Sequence, residues 1–299
     1  MEVVKITPRG YCYGVVDAMT MAKQVARDPA VPRPIYVLGQ IVHNRHAVED
    51  LDRLGIMTLD GGQRAELLEQ VPDGATVIFT AHGISPDVKK RAQQRHLQFF
   101  DATCPDVTKT HTLIRDKIHD GYSIIYIGSK GHPEPEGAMG EAPKDRVALV
   151  TIPEDVAFLS FDEGMRLAVV TQTTLSQWDT QEVIDAVKQR YPKAEVYNEI
   201  CLATQLRQEA AVAAAKDVDL VVVVGDRRSN NSNRLVEVVE KVAKKPAVRV
   251  ERVEDLDPAW FVAVSRVAVT AGSSTPSQVT RAVIQWLEAY DKKSLPSRF

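Results

Sequence analysis

Short runs of β-branched and apolar residues recur along the chain, and each ends in a polar loop. PIYVLGQIVHN reaches His43, SIIYIGSKGH reaches His132, and DLVVVVGDRRSNN reaches Asn231. A second set follows: TVIFTAHG with His82, RLAVVTQTT with Thr173, and VAVTAGSS with Ser274. Runs of this length and composition predict buried strands. The segments QLRQEAAVAAAKDV, SPDVKKRAQQR and SQVTRAVIQWLEAY carry helical spacing instead. Strands alternating with helices imply parallel sheets covered on both faces, with ligands gathering beyond the carboxyl ends of the strands. The polar residues named above lie at or near those ends.

The pattern repeats. Three cysteines stand almost evenly spaced at positions 12, 104 and 201. The first polar loop follows each cysteine by about thirty residues and the second by about seventy. One α/β unit used three times is therefore expected, with domains over 1–102, 103–197 and 198–299. The tail from Asp291, DKKSLPSRF, carries no signal of its own and is expected to pack on the surface. If the three units surround a pseudo-threefold axis, the cysteines and two tiers of polar residues meet at one place.

Composition narrows the function. The 299 residues carry 37 basic and 40 acidic side chains, a net charge of −3, so no broad attraction for nucleic acid or an anionic membrane is built in. An anionic ligand must be held locally. The opening MEVVKITPRG lacks the features of a secretory signal, and apolar runs such as Leu220 to Val224 are far below the ~20 residues that span a bilayer. A cytoplasmic protein with no membrane partner is expected. In that reducing compartment an odd number of cysteines argues against a disulfide framework.

A single cysteine is most often a small buried apolar residue. Matched positions in a repeat point instead to a shared metal. Zinc with three protein ligands and a water fits three thiolates, and so does a 4Fe-4S cluster that leaves one iron open. With no CxxC present, spacing does not choose between them. Cys104 lies just before Pro105, on a loop after Phe99-Phe100.

The loops carry the rest of the chemistry. In GHPEPEG, residues 131–137, prolines and glycines fix the backbone around His132 and Glu134, as a positioned general acid requires. A solvated turn with exposed carboxylates is the competing reading. TQTTLS, RRSNNSNRL and AGSSTPSQ place Ser, Thr and Asn where helices begin, and such positions both cap helices and bind phosphate. His43 and His82, at equivalent places in the repeat, favour anion binding.

The ordered motifs PRGYCYGV, VLGQIVHN, FTAHG, DATCPDVTKTH, GSKGHPEPEG, TQTTLS, EICLATQLRQ, SNNSNRL and AGSSTP resemble the 4-hydroxy-3-methylbut-2-enyl diphosphate reductase family from end to end. The resemblance implies a trefoil of three α/β domains with mostly parallel sheets. It implies one 4Fe-4S cluster held by Cys12, Cys104 and Cys201, with the fourth iron open to substrate. The implied reaction is reductive removal of an allylic hydroxyl, giving isopentenyl and dimethylallyl diphosphates, with ferredoxin or flavodoxin as electron donor. By the same resemblance Glu134 delivers the proton, helped by Thr173, with His132 as substrate ligand and relay. His43, His82, Thr173, Ser229, Asn230, Asn231 and Ser274 complete the substrate-binding set. Many relatives carry a second serine where this chain has Asn230, so Ser229 and Asn231 are the firmer pair. A zinc-dependent hydrolase of a phosphorylated metabolite and a non-catalytic cluster protein are the alternatives; the latter would need no Glu134.

Overall fold

The computed structural model describes residues 1–162 and 164–290; the tail from Asp291 lies outside them. Strand β1 (Glu2–Lys5) leads to helix α1 (Tyr13–Arg27). Next come β2 (Ile35–Leu38), α2 (Arg45–Asp52), β3 (Ile56–Leu59), α3 (Arg64–Glu69), β4 (Thr76–Phe79), α4 (Pro86–Gln94) and β5 (Gln98–Asp101). The middle third runs α5 (Pro105–His119), β6 (Ser123–Ile127), α6 (Pro133–Met139), β7 (Val147–Val150), β8 (Leu167–Thr171), α7 (Gln177–Arg190) and β9 (Glu195–Tyr197). The last third runs α8 (Leu202–Ala215), β10 (Leu220–Val224), α9 (Asn230–Lys241), β11 (Ala247–Val250), β12 (Arg266–Ala271) and α10 (Ser277–Ala289). The three helical segments expected from periodicity correspond to α8, α4 and α10.

Among the described residues the strands form three four-stranded sheets with orders β5-β4-β2-β3, β9-β8-β6-β7 and β1-β12-β10-β11, and every pairing is parallel. Central strands such as LVVVV and SIIYI are buried at every position, because helices cover both faces of a parallel sheet. Among the described residues no helix is long and apolar enough to cross a membrane.

The chain groups into two compact units. One takes Met1–Cys12, His43–His46 and the chain from Leu202 on, and contains the sheet β1-β12-β10-β11. The other takes Tyr13–Val42 and Ala47–Cys201, and contains the other two sheets. The sheets change between β5 and β6 and between β9 and β10.

Strand β1 departs from the chain-order reading, which places it with residues 1–102. It pairs with β12 over Glu2↔Arg266 to Lys5↔Val269. Val3 and Val4 pack on the two apolar clusters of that sheet, and Arg266 grips Glu2 with Nε and Nη2 at 3.0 and 3.1 Å. This pairing makes β1 the counterpart of β5 and β9: all three are the edge strands that lead into a cysteine.

GHPEPEG also differs from a plain loop. Pro133 enters the first turn of α6, where a missing N–H costs nothing and the fixed φ suits the helix. The motif is thus a helix start, with Glu134 inside it.

Candidate active site

Each cysteine directly precedes a helix of 14 or 15 residues, α1, α5 or α8. Their amides are anchored alike. Cys12 N–H donates to Ser273 O at 3.1 Å, Cys104 N–H to Ala81 O at 3.0 Å, and Cys201 N–H to Thr173 O at 3.0 Å. In each case the acceptor stands two residues beyond the neighbouring strand, β12, β4 or β8. The threefold repeat therefore extends to the hydrogen bonds that aim the thiols. All three side chains are half-buried, at a helix end whose free N–H groups favour negative charge.

In the larger unit Gly14 leaves room for Cys104: a Cβ there would lie 2.4 Å from Sγ. Next to it, the Tyr13 hydroxyl donates to Asp106 Oδ2. The Tyr13 phenol is held well above its usual range by burial, then by Asp106, with the charges of Cys104 and Cys201 adding to it. Both sulfurs thus bear on one phenol. Within this unit Cys104 and Cys201 are soft donors beside helix starts, the kind of ligand that a thiophilic metal or an iron-sulfur group takes.

Glu134 is 1% exposed. Its Oε1 accepts the Thr173 N–H at 2.7 Å, and its side chain also takes a bond from the Thr173 hydroxyl. Burial raises its pKa to about 7; the two Thr173 bonds oppose that shift and the charge of Asp106 adds to it. A carboxyl raised this far keeps a substantial protonated fraction near neutrality, as a proton donor must. The competing picture of a solvated turn is excluded for Glu134.

His132 caps α6. Its Nδ1 accepts the Glu134 N–H at 3.1 Å and faces Gln172 Nε2 at 3.1 Å. Gln172 is oriented by the Ser129 N–H, which donates to its Oε1 at 2.8 Å, and its Nε2 also reaches Thr174 Oγ1. With Nδ1 committed as acceptor, a neutral His132 carries its proton on Nε2. The ring of His82 stands edge-on to His132, centroids 5.3 Å apart, and its Nδ1 lies 3.4 Å from Thr80 Oγ1.

The smaller unit holds the other group. Ser274 Oγ donates to His43 O at 2.9 Å and lies 3.4 Å from Ser229 Oγ, while Ser229 caps α9 by accepting from Ser232 N–H. Asn231 bridges neighbours: Oδ1 accepts the Ser273 N–H at 3.0 Å and Nδ2 donates to Thr204 Oγ1 at 3.2 Å. Asp226 accepts from the amides of Arg45 and Arg228, tying the segment that carries His43 to the loop before α9. Asn230, the first residue of α9, is half-buried beside them.

The expected residues thus gather within each unit: Cys104, Cys201, His82, His132, Glu134 and Thr173 in one, and Cys12, His43, Ser229, Asn231 and Ser274 in the other. Gln172, Thr204 and Asp226 were not singled out from sequence. The first two sit inside TQTTLS and EICLATQLRQ, so adjacency to motif residues was the available signal. Asp226 acts through backbone amides far along the chain and leaves no local signature.

Residues 3–288 match the family described as LytB protein. The chain is 61% identical over 291 residues to the 4-hydroxy-3-methylbut-2-enyl diphosphate reductase of Symbiobacterium thermophilum, covering 97% of this chain and 98% of that protein. It is 57% identical to the enzyme of the same name from a Geobacillus species, covering 97% and 91%. Among solved structures, the E-1-hydroxy-2-methyl-but-2-enyl-4-diphosphate reductase of Plasmodium falciparum superposes with a TM-score of 0.89 at 35% identity, over 96% of this chain and 87% of that one. A second, titled as (E)-4-hydroxy-3-methyl-but-2-enyl diphosphate reductase, the terminal enzyme of the non-mevalonate pathway, gives 0.67 at 30% identity over 97% and 100%. With a match from end to end, the chain belongs to the LytB protein family.

Proposed function

We propose that this chain is a 4-hydroxy-3-methylbut-2-enyl diphosphate reductase. Two electrons and two protons convert the allylic alcohol into isopentenyl or dimethylallyl diphosphate plus water. The observation that carries this reading is the threefold equivalence of Cys12, Cys104 and Cys201, each amide bonded to the carbonyl two residues beyond a neighbouring strand. Those three residues would hold a 4Fe-4S cluster, which when bound supplies one-electron transfer and Lewis acidity at its uncoordinated iron. A small ferredoxin- or flavodoxin-type protein is the electron donor that this chemistry calls for.

The chain's own residues handle the protons and the anion. Glu134, buried and with its pKa raised to about 7, gives up a proton from its acid form as the hydroxyl leaves as water. The N–H and hydroxyl of Thr173 then stabilise the carboxylate left behind. His132, with Nδ1 accepting the Glu134 N–H, is left to offer Nε2–H as a donor. His43, His82, Ser229, Asn231 and Ser274 offer imidazole, hydroxyl and amide groups to the diphosphate, which fixes the pose of the small allylic tail.

The test is metal content and turnover of anaerobically purified protein. A brown, iron- and sulfide-containing sample that reduces the allylic diphosphate is expected, with Cys12→Ser, Cys104→Ser and Cys201→Ser each losing iron and activity together. A colourless zinc protein that hydrolyses a phosphorylated metabolite would overturn the assignment, as would a Cys201→Ser variant with normal cluster absorption and rate.

A further inference from the structure

His111 stands two turns into α5, the helix that Cys104 caps, and takes no part in the chemistry described above. It is buried, and its ring lies in a slot between two glycines. A Cβ on Gly83 would come within 3.1 Å of His111 Nε2, and one on Gly137 within 3.2 Å of Cε1. Gly83 follows His82 in the loop after β4; Gly137 lies one turn beyond Glu134 on α6. On its other side the ring is gripped by Glu141, just past the end of α6, with Nδ1 2.9 Å from Oε1. The second oxygen of Glu141 accepts from Arg115 at 3.2 Å, again on α5.

Helix α6 needs such a grip. It has seven residues, PEPEGAM, with two prolines and a glycine, and is too short and too poor in helix formers to stand by itself. Its backbone approaches the loop after β4 more closely than side chains would allow. A Cβ on Gly137 would lie 3.2 Å from Ile84 N, and one on Gly140 2.4 Å from Ser85 Cβ. At its amino end His132 caps it. At its carboxyl end the hydrogen bond that Glu141 accepts from His111 Nδ1–H ties it to α5. His111 Nε2 is buried without a hydrogen-bond partner, so that side of the ring is held by shape alone.

We propose that His111, through its bond to Glu141, is the positioning residue that sets α6, and with it the carboxyl of Glu134, against the helix that Cys104 caps. The inference rests on Glu134 being the proton donor. The ring is a spacer of fixed thickness between α5, the His82 loop and α6, and the Glu141 bond keeps it in its slot.

The test compares His111→Phe, Gly137→Ala, Glu141→Gln and Glu134→Gln in iron-replete enzyme. The readouts are kcat and KM against pH, and titration of the Glu134 carboxyl by infrared spectroscopy, its band identified by loss in Glu134→Gln. His111→Phe keeps a flat ring of the same thickness, slightly larger in outline, and drops the bond. Gly137→Ala keeps the bond partners and pushes on the ring, so it serves if the first variant does not fold. Both should lower kcat about ten- to a hundredfold, the scale of a misplaced reacting group, with KM nearly unchanged. In both, the carboxyl should titrate below its starting value of about 7, because a loosened α6 lets water reach it. Glu141→Gln still accepts the Nδ1–H bond and should stay close to wild type. Wild-type kcat and an unmoved titration in both ring variants, beside a slow Glu134→Gln, would overturn the inference. If Glu134→Gln itself turns over normally, the assignment of the acid has failed, and the inference falls with it for that separate reason.

Discussion

Glu134 and Cys201 are joined through one residue: Thr173 gives its N–H to Glu134 Oε1 at 2.7 Å, while its carbonyl accepts the Cys201 N–H at 3.0 Å. The residue that steadies the acid also steadies the backbone of a cysteine. Its hydroxyl adds a second bond to the carboxyl.

Thr173→Val separates these functions, since it keeps both backbone bonds and removes only the hydroxyl. The hydroxyl bond favours the carboxylate, so its loss moves the Glu134 pKa upward from about 7. The charge of Asp106 on α5 also disfavours that of the carboxyl, in the same sense. The alkaline limb of the turnover profile should therefore shift to higher pH, while iron content stays normal. A limb that moves to lower pH would show that Thr173 does not act on this carboxyl.

Glu134→Gln should slow single-turnover reduction by about 10² to 10⁴, the usual contribution of a positioned general acid, with substrate still bound. It should also stabilise the fold. The folded pKa is raised from 4.5 to about 7, so the native state binds the proton more tightly than the unfolded chain. Stability is then complete below about pH 4.5 and declines as pH rises through 7. Gln has no charge to desolvate, and above neutrality the variant should gain up to about 3 kcal/mol over wild type. Denaturant unfolding at pH 5 and pH 8 checks the sign: equal gains at both would refute a titrating Glu134.

Glu136, two residues on, has a different task. Its side chain is exposed, and Oε1 accepts the Arg64 N–H at 2.9 Å at the start of α3. It also bears, with Asp60, on the buried Arg64 guanidinium, whose pKa is lowered chiefly by burial. Glu136→Gln keeps the acceptor and should leave turnover near wild type. Glu136→Ala removes a carboxylate from beside a buried cation and should cost about 1 to 3 kcal/mol of stability. A stalled Glu136→Gln with its iron intact would mean that the wrong acid has been named.

The strand and helix pattern was legible because parallel strands buried on both faces read as unbroken apolar runs, as in Leu220–Val224. The motif loops were legible for a similar reason, since Ser176 and Ser229 cap the helices they precede. The place of β1 was not, because EVVK is a short edge strand whose partner, β12, lies some 260 residues away, and nothing local names it. The resemblance names Glu134 over Glu136, but the residues themselves do not show why. Glu134 sits between two prolines and Glu136 between a proline and a glycine, and only the fold buries the first and exposes the second. His111 is visible in DATCPDVTKTH but silent there, since its meaning comes from two glycines and a carboxylate on other elements.

The diphosphate group yields the last prediction. Ser274 has one hydroxyl proton. Its contact with His43 O at 2.9 Å is shorter than that with Ser229 Oγ at 3.4 Å, so the proton belongs to the His43 carbonyl. The remaining lone pairs of Ser274 then accept from Ser229. To donate to a diphosphate oxygen, Ser274 must release that carbonyl, and the two sites become coupled. Hydrogen bonds to a charged group are worth roughly 1.5 to 3 kcal/mol, so Ser274→Ala and His43→Ala should each weaken competition by inorganic diphosphate about ten- to a hundredfold. Because Ser274 also holds the segment that carries His43, the double variant should lose less than the two single losses combined. Competitive inhibition by inorganic diphosphate, measured for all four proteins, gives the coupling directly. Strict additivity would make Ser274 a ligand with no hold on His43. Binding indifferent to both substitutions would place the diphosphate elsewhere.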